Sequence, residues 1–518
     1  MNRHIILKNL IPVAIIVGLG MVASCTKSKG LTDHGPYIKA PNPPVKFLSG
    51  KPDPADAVSG DEVSFKVSGL DKLSSFSFYI NQVQAEVLDV KDSLITVKVP
   101  QNVSSGAASV LTSDGQYFYG PILRIDGKVS IDQTFNSGIG TNGDIRQIIP
   151  FSSTSTNLIM VGNFTDYNGN NASHPVNNIA QISNNGGYLN ISAQKGAGGS
   201  INYITHITSS SQYLIGGSFG TYNDIIGLSG LTRLNSNLSI DSMVVQLVNP
   251  DPDKHPENNQ DTVATFNGGV SNSRGGNSIV KVFNDFNSNG KLIAIGNFDR
   301  YYDYYYPRSE KNTLLTDVTR MNNFIRFSSV GVLDSTYNFD PLQNQSYPGL
   351  NGYINDCIQL SNGKIIFVGS FTSFNGATAN RIAALSSDGT MDASFGALIG
   401  AGADDDIYKI TYNATTHKIL VIGAFKNFEG HPANGIAMLN EDGSYDNAFS
   451  LKKIEGGVPN FAGQLNNGLI LVSGSFQKYD SIIRQGFMIL DAQGDLAAGY
   501  NNTGTFSGRI NGLMETTS

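Results

Sequence analysis

The chain has 518 residues, enough for two or more domains, with 57 glycines, no tryptophan and only 15% charged residues. Its net charge of −7 makes the chain a poor electrostatic match for nucleic acid or anionic lipid, and no nucleic-acid partner is expected. Its 2 cysteines, at positions 25 and 357, exclude a disulfide framework, so a chain of this length must be held by its core.

The first element in chain order is a basic start, Arg3 and Lys8, followed by the apolar run Leu10 to Val22 and then Ala23-Ser24-Cys25. A basic start, a short apolar run and small residues at a cut site are the parts of a secretory signal peptide. A cysteine directly after the small residues makes the segment resemble a bacterial lipoprotein signal. That resemblance implies cleavage after residue 24, a lipid on Cys25, a membrane partner through that lipid, and a place in the cell envelope at the outer membrane. A transmembrane helix fits less well, because the run falls short of the roughly 20 apolar residues a span needs and Pro12, Gly18 and Gly20 interrupt it. Losing residues 1–24 removes Arg3 and Lys8 and no acid, so the net charge moves from −7 to −9. No acidic run follows Cys25, which leaves the face of the membrane open. Residues 25–41, rich in Lys, Ser, Gly and Pro, read as a flexible tether.

Residues 42–126 change pattern. Val63, Phe65 and Val67 alternate with polar residues, as do Ile95, Val97 and Val99, the period of half-buried strands. Gly60-Asp61, Gly69, Asn102, Gly106 and Asp114-Gly115 supply the turns. The order Ser59-Gly60-Asp61-Glu62-Val63, Phe78-Tyr79-Ile80-Asn81 and Ile95-Thr96-Val97-Lys98-Val99-Pro100 resembles an IPT/TIG domain, which implies an immunoglobulin-like β-sandwich of a spacer or contact type.

Residues 127–518 repeat themselves, which outranks any local motif. Six segments share an apolar strand ending in Gly-x-Phe: Gly162/Phe164, Gly217/Phe219, Gly296/Phe298, Gly369/Phe371, Gly423/Phe425 and Gly474/Phe476. An Asp-x-x-aromatic element recurs at Asp132/Phe135, Asp334/Tyr337, Asp392/Phe395 and Asp446/Phe449. Four short strands per unit of about 50 residues is the arithmetic of a propeller blade. The ensemble resembles the Delta-60 repeat, most closely between Tyr353 and Phe449, which implies a β-propeller. Six blades are expected, with seven the alternative. The element at Asp132 and a terminal strand over Arg509–Leu513 are expected to close the ring. A strand glycine lets another backbone approach, and the phenylalanine two residues on fills the gap between sheets. The expected class is all-β: a sandwich followed by a propeller.

Most site motifs dissolve into the repeat. Gly216-Gly217-Ser218-Phe219-Gly220 has the spacing of a nucleophile elbow, but Ser218 holds the slot that Asn163 and Ala424 hold elsewhere. Gly138-Ile139-Gly140-Thr141-Asn142-Gly143 lacks the following helix of a phosphate loop. Asp285-Phe286-Asn287-Ser288-Asn289-Gly290 copies half a calcium loop, without the closing carboxylate. Asp404-Asp405-Asp406 reads as a solvated loop, His174 and His431 as loop packing, and Cys357 as a small buried hydrophobe. No catalytic residue, cofactor or metal is expected.

The run Tyr301, Tyr302, Tyr304, Tyr305 and Tyr306 departs from the repeat, and flat rings with a polar edge suit glycans and protein partners alike. The expected function is therefore a lipid-anchored binding or scaffold protein presenting its propeller to a glycan or protein. A carbohydrate-active enzyme with paired carboxylates and a purely structural module are the alternatives, an off-repeat acid pair favouring the enzyme.

Overall fold

The computed structural model describes residues 44–136, 138–169, 176–189, 195–276 and 278–516. Cys25, the expected leader, the whole of the expected tether and His174 lie outside them.

The N-terminal unit is a β-sandwich. Glu62–Ser68 pairs with Leu94–Lys98 and Lys46–Phe47, while Gly106–Thr112 pairs with Phe76–Ile80 and Tyr117–Ile125. The long strand Val83–Lys91 passes between the two layers. Its start pairs with Phe76–Ile80, and from Glu86 on it pairs with Leu94–Lys98, with an irregularity between Val87 and Asp89. The alternating residues of the sequence face inward: Val63, Phe65, Val67, Ile95 and Val97 are buried against Phe78, Ile80, Val110 and Leu123.

The rest is a β-propeller. Among the described residues, each Gly-x-Phe segment closes or follows the middle strand of its own antiparallel sheet, or, for Gly217-Ser218-Phe219, lies within it. The middle strands are Leu158–Asn163, Tyr213–Tyr222, Lys291–Asn297, Ile365–Gly369, Lys418–Gly423 and Ile470–Gly474. The repeat glycine has one cause throughout. A Cβ at Gly162, Gly217, Gly296, Gly369, Gly423 or Gly474 would fall far inside contact distance of a carbonyl oxygen in the preceding strand or just before it, for example that of Tyr353 beside Gly369. The register slips next to this contact in every sheet, as between Ile354 and Asp356. Asparagines at three of the slipped positions or beside them tie neighbouring sheets together. Asn202 Nδ2 donates to the Ile279 carbonyl at 2.8 Å, Asn297 Nδ2 to Ile354 at 3.0 Å and Asn355 Nδ2 to Ile407 at 2.9 Å. The phenylalanines of all six segments are buried.

The Asp-x-x-aromatic element stacks one sheet on the next. Tyr337 and Phe395 lie under the turn glycines of the following units, where a Cβ on Gly389 or Gly443 would meet them at 2.7 and 2.6 Å. The aspartates face a lysine that opens or directly precedes the middle strand: Lys364 to Asp392 at 2.7 Å, Lys418 to Asp446 at 2.8 Å, and likewise Lys291 to Asp334. These acids are structural. Asp392 also accepts from the backbone N–H groups of Ser394 and Phe395, capping the short helix Ala393–Ile399.

The ends of the propeller meet. Asn136, just after the first Asp-x-x-aromatic element, donates its N–H to the Asn185 carbonyl at 2.7 Å, as Asn338 does to Asp388. Lys128 donates to Gly499 at 2.7 Å, and Asn502 Nδ2 to Val129 at 2.9 Å. The terminal strand expected at Arg509–Leu513 is corrected: the segment forms no ladder. It binds through side chains instead, Asn511 Nδ2 to the Ile145 carbonyl at 2.8 Å and Glu515 to the Asn466 N–H at 2.9 Å. The same seam carries the sandwich, through Ser105 N–H to the Asn502 carbonyl at 3.1 Å and Arg484 to the Asn102 carbonyl.

Candidate functional site

The tyrosine run does not form one open platform. Arg300–Tyr304 is the middle strand of a small sheet, paired with Gly269–Ser271 and Thr316–Arg320. Period two then sends alternate rings to opposite faces. Tyr301 turns inward, buried against Phe327, with its hydroxyl donated to the Gly331 carbonyl. Tyr306 is buried with Val245, Leu247 and Val263 of the inserted hairpin. Tyr304 binds the Gly227 carbonyl at 2.8 Å, and Tyr302 is half-buried edge-on to it. Tyr305 alone of the five is exposed. The correction has a plain reason: the insertions that the run borders supply the apolar surface that covers it.

Across the strand pair, Asp303 stands opposite Asp317. Burial and the Asp317 charge push the Asp303 carboxyl above its ordinary range. This is the off-repeat acid pair that an enzyme reading looks for, but neither acid lines the cavity formed by the main sheets.

That cavity, of about 270 Å³, opens between the third and fourth main sheets. Ile293, Ile365, Leu385 and Tyr337 give it apolar walls, and Asp285, Asn287, Asn362, Lys364, Ser386, Ser387 and Asp392 its polar ones. Asp285 is the departure from the repeat. It occupies the last-pair position before the hairpin that Ile207, Leu360 and Leu465 hold in other units. There it is buried and paired with Arg326 at 3.1 Å, and Arg326 also binds Asp334 at 2.8 Å and lies 4.7 Å above the Tyr337 ring. The half calcium loop is thus a hairpin whose first acid serves an ion pair, and Asn287 N–H caps it at 2.9 Å.

Both carboxylates of the cavity are neutralised from within. Burial would raise Asp392, but the Lys364 and Ser394 hydrogen bonds more than offset it and hold the carboxyl at about 2. A general acid for glycoside hydrolysis needs the opposite, a carboxyl raised toward neutrality. The groups left over are neutral. Among the described residues, the Asn287 side-chain amide, Asn362 Nδ2 and the hydroxyls of Ser386 and Ser387 have no protein partner. At the rim, Phe286 is 57% exposed and lies against Gly363, where a Cβ would sit 2.9 Å from it.

The remaining motifs are structural. Ser218 lies on a strand opposite Ser200. Asp404 accepts from the backbone and side chain of Asn427, and Asp406 pairs with Arg381 at 3.1 Å. His431 stacks on Tyr445 with centroids 4.3 Å apart. Cys357 is buried, and burial pushes its thiol up to about 12. No group of three or more metal-ligating side chains occurs among the described residues, and no helix there is long and apolar enough to cross a membrane.

The architecture defined by these sheets is a sandwich followed by a β-propeller. Two family models match parts of the chain. Residues 360–395 and 418–449 match a β-propeller domain of unknown function, DUF5122, and residues 21–121 match a domain of unknown function, DUF5008. No curated protein matches the sequence. Among solved structures, the chain is similar to an auxiliary nutrient binding protein from Bacteroides thetaiotaomicron, at 10% identity over 88% of this chain and 96% of that one, with a TM-score of 0.31. It is also similar to a quinonprotein alcohol dehydrogenase-like protein from the same organism, at 10% identity over 88% and 99% with a TM-score of 0.33. A gluconolactonase from Xanthomonas campestris overlays at 14% identity over 60% and 88%, with a TM-score of 0.24.

Proposed function

We propose that this protein is a lipid-anchored envelope protein that binds a neutral glycan in the cavity between the third and fourth sheets. One observation carries the ligand class: every charge in the cavity is spent on another protein group, while the Asn287 amide, Asn362 Nδ2 and the Ser386 and Ser387 hydroxyls have no protein partner among the described residues. A charged ligand would have to break an ion pair. A sugar meets unpaired donors and acceptors on the walls and an exposed Phe286 ring at the rim. The fixed ion pairs make the walls rigid, which lowers the ordering cost of binding. The sandwich then acts as the spacer between membrane and propeller.

Titration of the full chain with neutral oligosaccharide panels, read by calorimetry, tests the ligand. Binding by the native chain is expected, with a loss of tenfold or more in Asn287→Ala and Asn362→Ala at unchanged melting temperature. Binding of equal strength in both variants overturns the assignment to this cavity. The anchor is tested separately by labelled palmitate: incorporation in the native chain and none in Cys25→Ser is expected, and equal incorporation in both overturns it.

A further inference from the structure

An exposed aromatic surface lies on the sandwich. Strand Tyr117–Ile125 turns Tyr117 and Tyr119 outward, 50% and 70% exposed, with rings stacked at 6.2 Å and 18°. Tyr79 on the strand Phe76–Ile80 adds its ring 6.3 Å from Tyr117. The register slips between Ala107 and Ser109, so that past Gly120-Pro121 the alternation resumes with Ile122 outward, 70% exposed, and Leu123 buried. Leu111 faces the same way. This outward set carries no charge until Arg124, which Asp56 and Asp126 flank at 3.7 and 3.4 Å.

The position of this face tells what covers it. The first described strand, Lys46–Phe47, lies beside it, with the Phe47 ring packed so close over Gly120 that a Cβ there would overlap it. The described chain thus begins, at residue 44, just before a strand that pairs with Glu62–Ser68 and sets its Phe47 ring against the strand that bears the two tyrosines. Residues 25–43, fully extended, reach at most about 65 Å.

We propose that Tyr79, Tyr117, Tyr119 and Ile122 rest the sandwich on the lipid surface to which Cys25 is anchored, an inference that depends on the lipid-anchor reading above. Tyrosine rings settle at the level of lipid headgroups, with the apolar ring inward and the hydroxyl wet. Ile122 supplies the one aliphatic contact. Binding needs no basic patch, in keeping with a chain of net charge −7. A single lipid chain holds a protein only marginally, and an interfacial patch is the second signal that makes anchoring firm.

The chain contains no tryptophan, so Tyr119→Trp creates a sole reporter. The acylated full chain carrying it is placed in phosphatidylcholine vesicles brominated at different acyl depths. A blue-shifted emission quenched most by the shallowest bromines is expected, and Tyr117→Trp is expected to report the same depth. Adding Ile122→Asp to either should cut the quenching severalfold. A chain that floats with the vesicles but is not quenched overturns the docking and leaves the anchor standing. A chain with no acyl group that fails to float overturns both. A blue shift that grows with protein concentration without vesicles, or one that follows added oligosaccharide, overturns the lipid assignment in favour of a second copy or a sugar.

Discussion

The Lys281 ammonium lies 2.7 Å from Asp356 Oδ1, and the two residues sit on the first strands of neighbouring sheets, 75 positions apart in sequence. Lys409, on the first strand of the sheet after that, approaches Asp356 Oδ2 at 3.3 Å. One buried carboxylate thus links three sheets. Burial would raise Asp356, yet the two ammonium groups hold it low; burial would lower Lys281, yet Asp356 holds it high.

Removing Asp356 leaves two cations facing each other with little water between them. Asp356→Ala should destabilise the propeller by about 3–5 kcal/mol. The double variant Lys281→Met, Asp356→Leu should be less damaged than Asp356→Ala, because no uncompensated charge remains. Denaturant midpoints of the three chains check this ordering.

The repeat glycines give a second expectation. Gly369→Ala and Gly423→Ala place a methyl group against a backbone carbonyl that cannot swing away, at a cost of about 1–3 kcal/mol each. Gly376 has open space around its Cβ position but a φ of 84°. Gly376→Ala should therefore cost about 1–2 kcal/mol through the backbone alone, and Gly376→Asn much less. Melting curves of Gly369→Asn and Gly376→Asn separate the two mechanisms, since only the second should be near native.

The lysine–aspartate pair gives a pH dependence. Asp392 is held at about 2, below its unfolded value near 3.8. Its contribution to stability is fully present above pH 4 and is lost as the pH falls through the folded value toward 2. Lys364→Met should flatten the acid limb of a stability profile between pH 4 and 2, measured by urea unfolding at each pH. An unchanged acid limb would show that the pair contributes nothing over that window.

The tyrosines divide by face. Tyr301→Phe should cost about 1 kcal/mol, for the hydrogen bond to the Gly331 carbonyl, and Tyr301→Ala about 3–5 kcal/mol, for the cavity left under Phe327. Tyr305→Ala should stay within about 0.5 kcal/mol of native. Thermal melts of the three variants check the assignment.

The propeller was legible because its determinants are local and repeated. A carbonyl that forbids a side chain writes glycine at the same place six times, and a ring under the next sheet's turn writes Tyr or Phe after each aspartate. The sandwich was legible from Val63, Phe65 and Val67 for the same reason, since burial on one face prints a period of two. The candidate site was not. Asp285 meets Arg326 across 41 residues and reads in sequence as the head of a calcium loop. Asn287 and Asn362 look like ordinary turn residues until the sheets bring them to one cavity. The tyrosine run carried the opposite error: its alternation was visible, but the hairpins that bury Tyr306 on one side are insertions without a repeat to compare against.

The slot that Asp285 fills has a consequence for how such a protein changes over generations. Six glycines are fixed by geometry, so drift at those positions is removed by misfolding. The last-pair position before each inner hairpin tolerates Ile207, Leu360, Leu465, Asn413 and Asp285 on one backbone. Substitutions accepted there alter a cavity wall without disturbing ring closure. A point change at such a hairpin can therefore remake a cavity wall, as Asp285 does, while the glycines that hold the scaffold stay as they are.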